Sequence, residues 1–226
     1  GSLGRAFPGA SVTLGGFGDP LLHPEWPEIV ELIRASGLGP VHARTSLAGD
    51  VHHAEHLVCG AIEAVSVDVL AHQAATYARL TGVDAYGEVI ARLDAMLGGR
   101  RPGWRNPWII PRITRCDAVY EEIEVFYDKW SILTGAAMID ALRRPIPGDR
   151  IEPMARPRFV VEAEARAHLC IRADLTVPVD ASDPASTSVC GMAADDAEWA
   201  WRALWDARRG AMGAGRWDDP ILRIDS

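Results

Sequence analysis

The stretch SVTLGGFGDPLLHP, Ser11 to Pro24, decides how the rest of the chain is read. Ser11–Leu14 has strand character and runs straight into Gly15, Gly16, Gly18 and Asp19, with Pro20 locking the carboxylate in place. Clustered glycines let a backbone approach a ligand closely, because no Cβ stands in the way. Neither nucleotide fingerprint fits. No Gly-Lys-Ser/Thr follows, and the third glycine position of G-x-G-x-x-G is Leu21. What remains is a strand whose carboxyl end delivers glycines and one carboxylate. Parallel α/β folds bind ligands at that end of their strands. Asp19 could take an ammonium group while bare backbone approaches the rest of a ligand; a tight strand-to-helix turn is the plainer alternative.

Outward from this stretch, short apolar runs alternate with helix-period segments. Pro27–Ala35 reads as a helix, with Pro27 in its first turn, Ile29, Val30, Leu32 and Ile33 on the apolar face and Gly37 ending it. Pro40–Thr45 is a second strand, Val51–Cys59 a short helix and Ala61–Val69 a third strand. Helices follow over Ala71–Leu80 and Ala85–Leu97, then a strand over Trp108–Thr114. A helix over Ala118–Trp130 has Asp117 as its N-cap, and Ser131–Ile139 is a weak fifth strand. Strand and helix in alternation imply parallel strands with right-handed crossovers, hence α/β. The pattern fits an open doubly wound sheet and a full or partial barrel equally well.

The texture changes after Leu142. Residues 143–158 carry Pro145, Pro147, Gly148, Pro153 and Pro157 and read as a linker. The domains expected are therefore 1–142, a linker over 143–158, and a small α+β extension over 159–226. The extension holds strands around Leu175–Val179 and a helix from Asp195 to about Arg209.

Formal net charge is −8, which disfavours nucleic acid as a partner. No apolar run reaches the length of a membrane span. The four cysteines, Cys59, Cys116, Cys170 and Cys190, have no metal-ligand spacing, and so few in so long a chain point to a reducing, cytoplasmic setting.

Other constellations carry weaker chemistry. Alternation puts Ser66 and Asp68 on one face of their strand and Val65 and Val67 on the other, so the polar pair could face a barrel lumen. The plainer alternative is a strand-end cap. His52-His53-Ala54-Glu55-His56 spells H-x-x-E-H, with His52 and His56 as zinc ligands and Glu55 as base; a solvated helix turn is the better reading. Glu121, Glu122, Glu124 and Asp128 read as a solvated helix face, and Trp199, Trp201 and Trp205 as packing.

Taken together, the glycine stretch, WPEIVELI (Trp26 to Ile33), VSVDV (Val65 to Val69) and ATYARLTGVDAY (Ala75 to Tyr86) resemble the radical S-adenosylmethionine superfamily. The likeness is to members with a C-terminal SPASM or twitch-type extension, and it spans about Ser11 to Arg209. It implies a partial (β/α) barrel lacking the first β/α unit. It implies S-adenosylmethionine at Gly15, Gly16, Gly18 and Asp19, with Asp in place of the usual Glu. Ser66 and Asp68 would meet ribose or carboxylate, Thr45 and Ser46 would stand at the ligand-facing end of their strand, and Ile110 and Arg112 would be adenine- or substrate-side contacts. The implied chemistry is reductive cleavage to a 5′-deoxyadenosyl radical, fed by an external electron donor and a [4Fe–4S] cluster, acting on a small molecule or peptide.

The chain departs from that family at its defining motif. No C-x-x-x-C-x-x-C is present, and the chain opens about where the second barrel strand would begin. The expectation is therefore a parent enzyme with cluster ligands upstream, this chain alone being inactive. The extension has lost the glycine of its hairpin turn and most of its cysteines; two thiols hold no cluster alone. A cluster-free peptide- or partner-binding module is the alternative.

Overall fold

The computed structural model describes residues 2–16, 18–59, 62–100, 106–141, 168–179, 186–191 and 197–213. The expected linker and segment 159–167 lie outside these residues, as does Phe17. The chain divides into two compact units, Gly9–Pro153 and a second made of Gly1–Pro8 with Met154–Ser226.

The larger unit is built on five parallel strands: β1 (Val12–Leu14), β2 (Val41–Thr45), β3 (Ala64–Leu70), β4 (Trp108–Arg115) and β5 (Met138–Ala141). Their order in the sheet is their order in the chain. Among the described residues no strand lies on the other side of the first, so the order is that of a singly wound sheet. The winding runs one way, as in a (β/α) barrel.

Between the strands lie α2 (Trp26–Ala35), α3 (Ala74–Thr81), α4 (Tyr86–Gly98) and α5 (Ile123–Thr134); α1 (Ser2–Ala6) belongs to the other unit. Their buried side chains pack on one face of the sheet. Trp26, Val30, Tyr77, Val89, Leu93, Phe126 and Trp130 form a single core with Val41, Ala43, Val65, Val67, Val69, Ile109 and Ile113. The residues of β2, β3 and β4 in that core sit at odd positions. Period-two alternation therefore sends the even positions of these three strands to the opposite face, away from the helix core.

Several boundaries differ from the sequence reading, each for a local reason. The Val51–Cys59 helix is a 3-10 helix over Ala54–Val58. Asp117 does not cap an α-helix; it opens a 3-10 helix, Asp117–Glu122, that leads into α5. Ser131–Thr134 continue α5 rather than start a strand, because the helix runs on to Gly135, which ends it at φ 81. The fifth strand begins only at Met138. On α2 the buried stripe is Trp26 and Val30 with Ile33 beside it, and Leu32 is exposed.

Glu122 is also not part of a solvated face. It is buried, and its carboxylate accepts the His72 and Gln73 backbone N–H groups and the Thr76 hydroxyl. Those donors stand at the start of α3, where backbone N–H groups have no partner within the helix. Glu122→Ala is expected to lower stability by about 2 kcal/mol, and Glu121→Ala, at an exposed neighbour, by less than about 0.5 kcal/mol. Equal midpoints for the two variants in urea denaturation would contradict the cap.

In the second unit, β6 (Thr176–Pro178) and β7 (Ser188–Gly191) pair antiparallel. They pack with α6 (Ala197–Gly213) through Val177, Ala200 and Leu204. Buried Arg208 ties this unit together by donating to the backbone oxygens of Val179 and His168. Phe7, just after α1, meets the Trp201 ring edge-on at 6.0 Å. Leu175 follows Asp174 at φ 63, a left-handed conformation that glycine adopts without strain. The Asp174 carboxylate holds the turn by accepting from the Thr176 N–H and hydroxyl.

Candidate functional site

The residues singled out in the sequence assemble into two groups, one at the carboxyl ends of β1 and β2 and one along a face of the sheet.

The first group is a knot between the ends of β1 and β2. Asp19 Oδ1 accepts the Leu21 N–H at 3.0 Å. Its Oδ2 accepts the Thr45 hydroxyl, the Ser46 N–H and the Ser46 hydroxyl at 2.7 to 2.8 Å. Thr45 is buried, and its oxygen also accepts the Leu47 N–H. Ser46 Oγ likewise accepts the Ala48 N–H. The carboxylate is thus occupied by donors of this chain.

The glycines have their own local causes. Gly15 and Gly16 have φ of 152 and 125, values that side-chain-bearing residues rarely adopt. A Cβ on Gly15 would stand 2.9 Å from the Cβ of Arg44, so the turn can lie against β2 only without one. Around Gly18 a Cβ would meet nothing within 4 Å, and the structure gives no packing reason for that glycine.

The second group lies on the sheet face opposite the helix core. Ser66 and Asp68 of β3 both point there, with Ile110 in register beside Ser66 and Arg112 beside Asp68. His42 and Arg44 of β2 and Asp140 of β5 complete the group. Alternation in Val-His-Ala-Arg-Thr places His42 and Arg44 on the same face as Ser66, the very signal that marked Ser66 and Asp68, and it was legible in the sequence. Asp140 was hidden because its strand had been misplaced.

The polar groups connect across the strands. Thr13 Oγ1 lies 3.3 Å from His42 Nδ1, and His42 Nε2 lies 2.8 Å from Ser66 Oγ. Burial pushes the His42 imidazole below its ordinary value, and the Arg112 and Arg44 guanidinium groups push the same way while Asp68 opposes. His42 is therefore neutral at neutral pH. Arg44 Nε donates to Asp68 Oδ2 at 2.8 Å. Arg112 Nη1 lies 3.2 Å from Asp68 Oδ1, and its Nη2 bonds Asp140. Charges thus alternate across four strands, as Arg44, Asp68, Arg112 and Asp140.

Arg112 is the buried member of the strip; the Arg44 and Asp140 side chains are partly exposed. Arg112 is only 6% exposed, yet its Nε has no hydrogen-bond partner among the described residues; Asp68 Oδ1 has the ion pair with Arg112 Nη1. Buried polar atoms are normally paired. A register shift between Asp68 and Leu70 marks a bulge at this end of β3, a device that re-aims side chains beside sites. The face carries guanidinium and carboxylate groups within one short strip, each paired with the next.

The cysteines do not fit a [4Fe–4S] cluster. Cys59 and Cys116 lie in the larger unit, Cys170 and Cys190 in the other, and no described cysteine joins a group of potential metal ligands. Burial raises the thiols of Cys116, Cys170 and Cys190, which disfavours the thiolate that binds iron.

The H-x-x-E-H spelling is realised differently from its helical expectation. His53, Glu55 and His56 come together, and His52 is not in the group. No described helix is long and apolar enough to cross a membrane.

No protein-family model matches the chain, and no curated protein matches it. Among solved structures, a domain of pyruvate-formate lyase-activating enzyme from Bacteroides vulgatus ATCC 8482 is similar at a TM-score of 0.48 and 17% identity, over 69% of this chain and 90% of that chain. A likeness of that degree fixes neither family nor activity.

Proposed function

We propose that the polar face of the five-stranded sheet binds a small ligand with an amino-acid end, S-adenosylmethionine in the reading that the glycine stretch implies. The observation that carries this is the alternating strip Arg44, Asp68, Arg112 and Asp140, set on the face that the helix core leaves polar. Asp68 and Asp140 would hold the ligand's ammonium, Arg112 and Arg44 its carboxylate, and Ser66 with neutral His42 a hydroxyl. In a radical S-adenosylmethionine enzyme this would be the ligand-holding part of the barrel. Generation of a 5′-deoxyadenosyl radical would need a cluster whose ligands are not among the cysteines of this chain, so the chain by itself is a binding unit.

The test is calorimetric titration of the chain with S-adenosylmethionine and, separately, with methionine. Saturable one-to-one binding is expected, weakened about tenfold or more in Asp68→Asn. A folded chain that takes up no S-adenosylmethionine at millimolar concentration sinks the proposal.

One observation favours a second reading, a cluster-free module that binds a peptide or partner. The Asp19 carboxylate is already filled by four donors from this chain, so the glycine turn explains itself as a folding device. Failure of S-adenosylmethionine to bind would leave this reading standing.

A further inference from the structure

We propose that His53, Glu55 and His56 form a binding site for a late first-row divalent cation, with Zn2+ as the reference ion. The site lies in the loop between β2 and β3 and does not depend on the ligand proposed for the sheet face.

Its geometry follows from the local helix type. Ala54–Val58 is a 3-10 helix, with three residues per turn, so residues spaced by three stand above one another. His53 is the N-cap of this turn, and its ring stacks on that of His56, three residues on, at a centroid distance of 5.4 Å. In an α-helix, spacing by four would have paired His52 with His56 instead. Glu55 reaches the same spot, its Oε1 lying 3.8 Å from His53 Nδ1. One donor atom from each of the three residues lies within 4.8 Å of the other two. Donors around a tetrahedral zinc ion sit about 3.4 Å apart, so the side chains would have to rotate inward from this spacing to bind one.

The backbone beneath the donors is anchored. The His52 N–H donates to the Leu21 oxygen at 2.8 Å, and Trp26 Nε1 donates to the His52 oxygen at 2.7 Å. Leu57 is fully buried, and the His56 ring meets the edge of Trp26 at 6.4 Å. His53 has a left-handed backbone, φ 52, and its ring stacks on that of His56. All three donor residues are exposed, so no ion need be stripped of all its water and a solvent molecule completes the shell. Two imidazoles and one carboxylate select zinc, nickel or copper over magnesium and calcium, which prefer oxygen ligands throughout.

The test is calorimetric titration of the full chain with Zn2+ in excess Mg2+, with circular dichroism confirming that each variant is folded. One site per chain is expected. His53→Ala and His56→Ala should each weaken binding about tenfold or more, the scale on which even supporting groups act. His52→Ala, Cys59→Ser and Asp68→Asn should leave it unchanged. Absence of stoichiometric Zn2+ overturns the proposal. So does loss in His52→Ala or Cys59→Ser with retention in His53→Ala, and so does full binding by the double variant of His53 and His56.

Discussion

Asp19→Ala is expected to lower the stability of the chain by about 3 kcal/mol. The carboxylate ties the turn after β1 to the end of β2 through four donors, from Leu21, Thr45 and Ser46. Removing it strands the Ser46 N–H and leaves the Thr45 hydroxyl, 1% exposed, without its acceptor. Four charge-assisted bonds do not add up to four separate contributions, because the donors share one anion and regain some water on its loss. Asp19→Asn keeps an acceptor for one side of the knot but presents an amide donor to the other, so an intermediate loss is expected. Urea unfolding checks both variants, with the midpoint falling at unchanged m. If Asp19→Ala unfolds with the parent but no longer binds S-adenosylmethionine, the carboxylate serves a ligand and the internal knot is not its main task.

The second large effect is expected at Asp68. Its carboxylate stands between Arg44 and Arg112, and the Arg112 side chain is 8% exposed. Desolvated cations depend on their partners, and breaking a buried pair from one side costs about 3 to 5 kcal/mol. Arg112 retains Asp140, and the Arg44 side chain, 35% exposed, recovers water, so Asp68→Ala is placed at the low end of that range. Asp68→Ala combined with Arg112→Ala should be less destabilised than the sum of the two single variants. A double-mutant cycle in thermal unfolding measures this, and strict additivity would show that the pair does not interact.

How far the site was legible in the sequence varies from residue to residue. Period-two alternation in Val65–Val69 placed Ser66 and Asp68 on the polar face with no help from the tertiary structure. The same rule applied to Val41–Thr45 would have added His42 and Arg44. Asp140 was out of reach, because α5 continues through Ser131–Thr134 and pushes β5 towards the carboxyl end. The stop is Gly135 at φ 81, the same kind of signal as Gly37 after the first helix, but the strand expected over Ser131–Ile139 ran across it. Glu122 was misread for a different reason. Its exposed neighbours share its chemistry, and only the packing of α3 against the 3-10 helix before α5 brings backbone donors to its carboxylate. His53 displaced His52 because a 3-10 helix, rather than an α-helix, sets the spacing.

The sequence by itself determined the alternation of strands and helices, the apolar and polar faces of the central strands, and the need for glycine after the first strand. These follow from side-chain periodicity and backbone freedom, which are local. The tertiary structure decided the one-way order of the strands, the charge strip across β2 to β5, and the filling of Asp19 by Thr45 and Ser46. Each of these joins residues some 20 or more positions apart. Which donor meets which acceptor over that distance depends on how strands stack side by side, and only the packed sheet sets that.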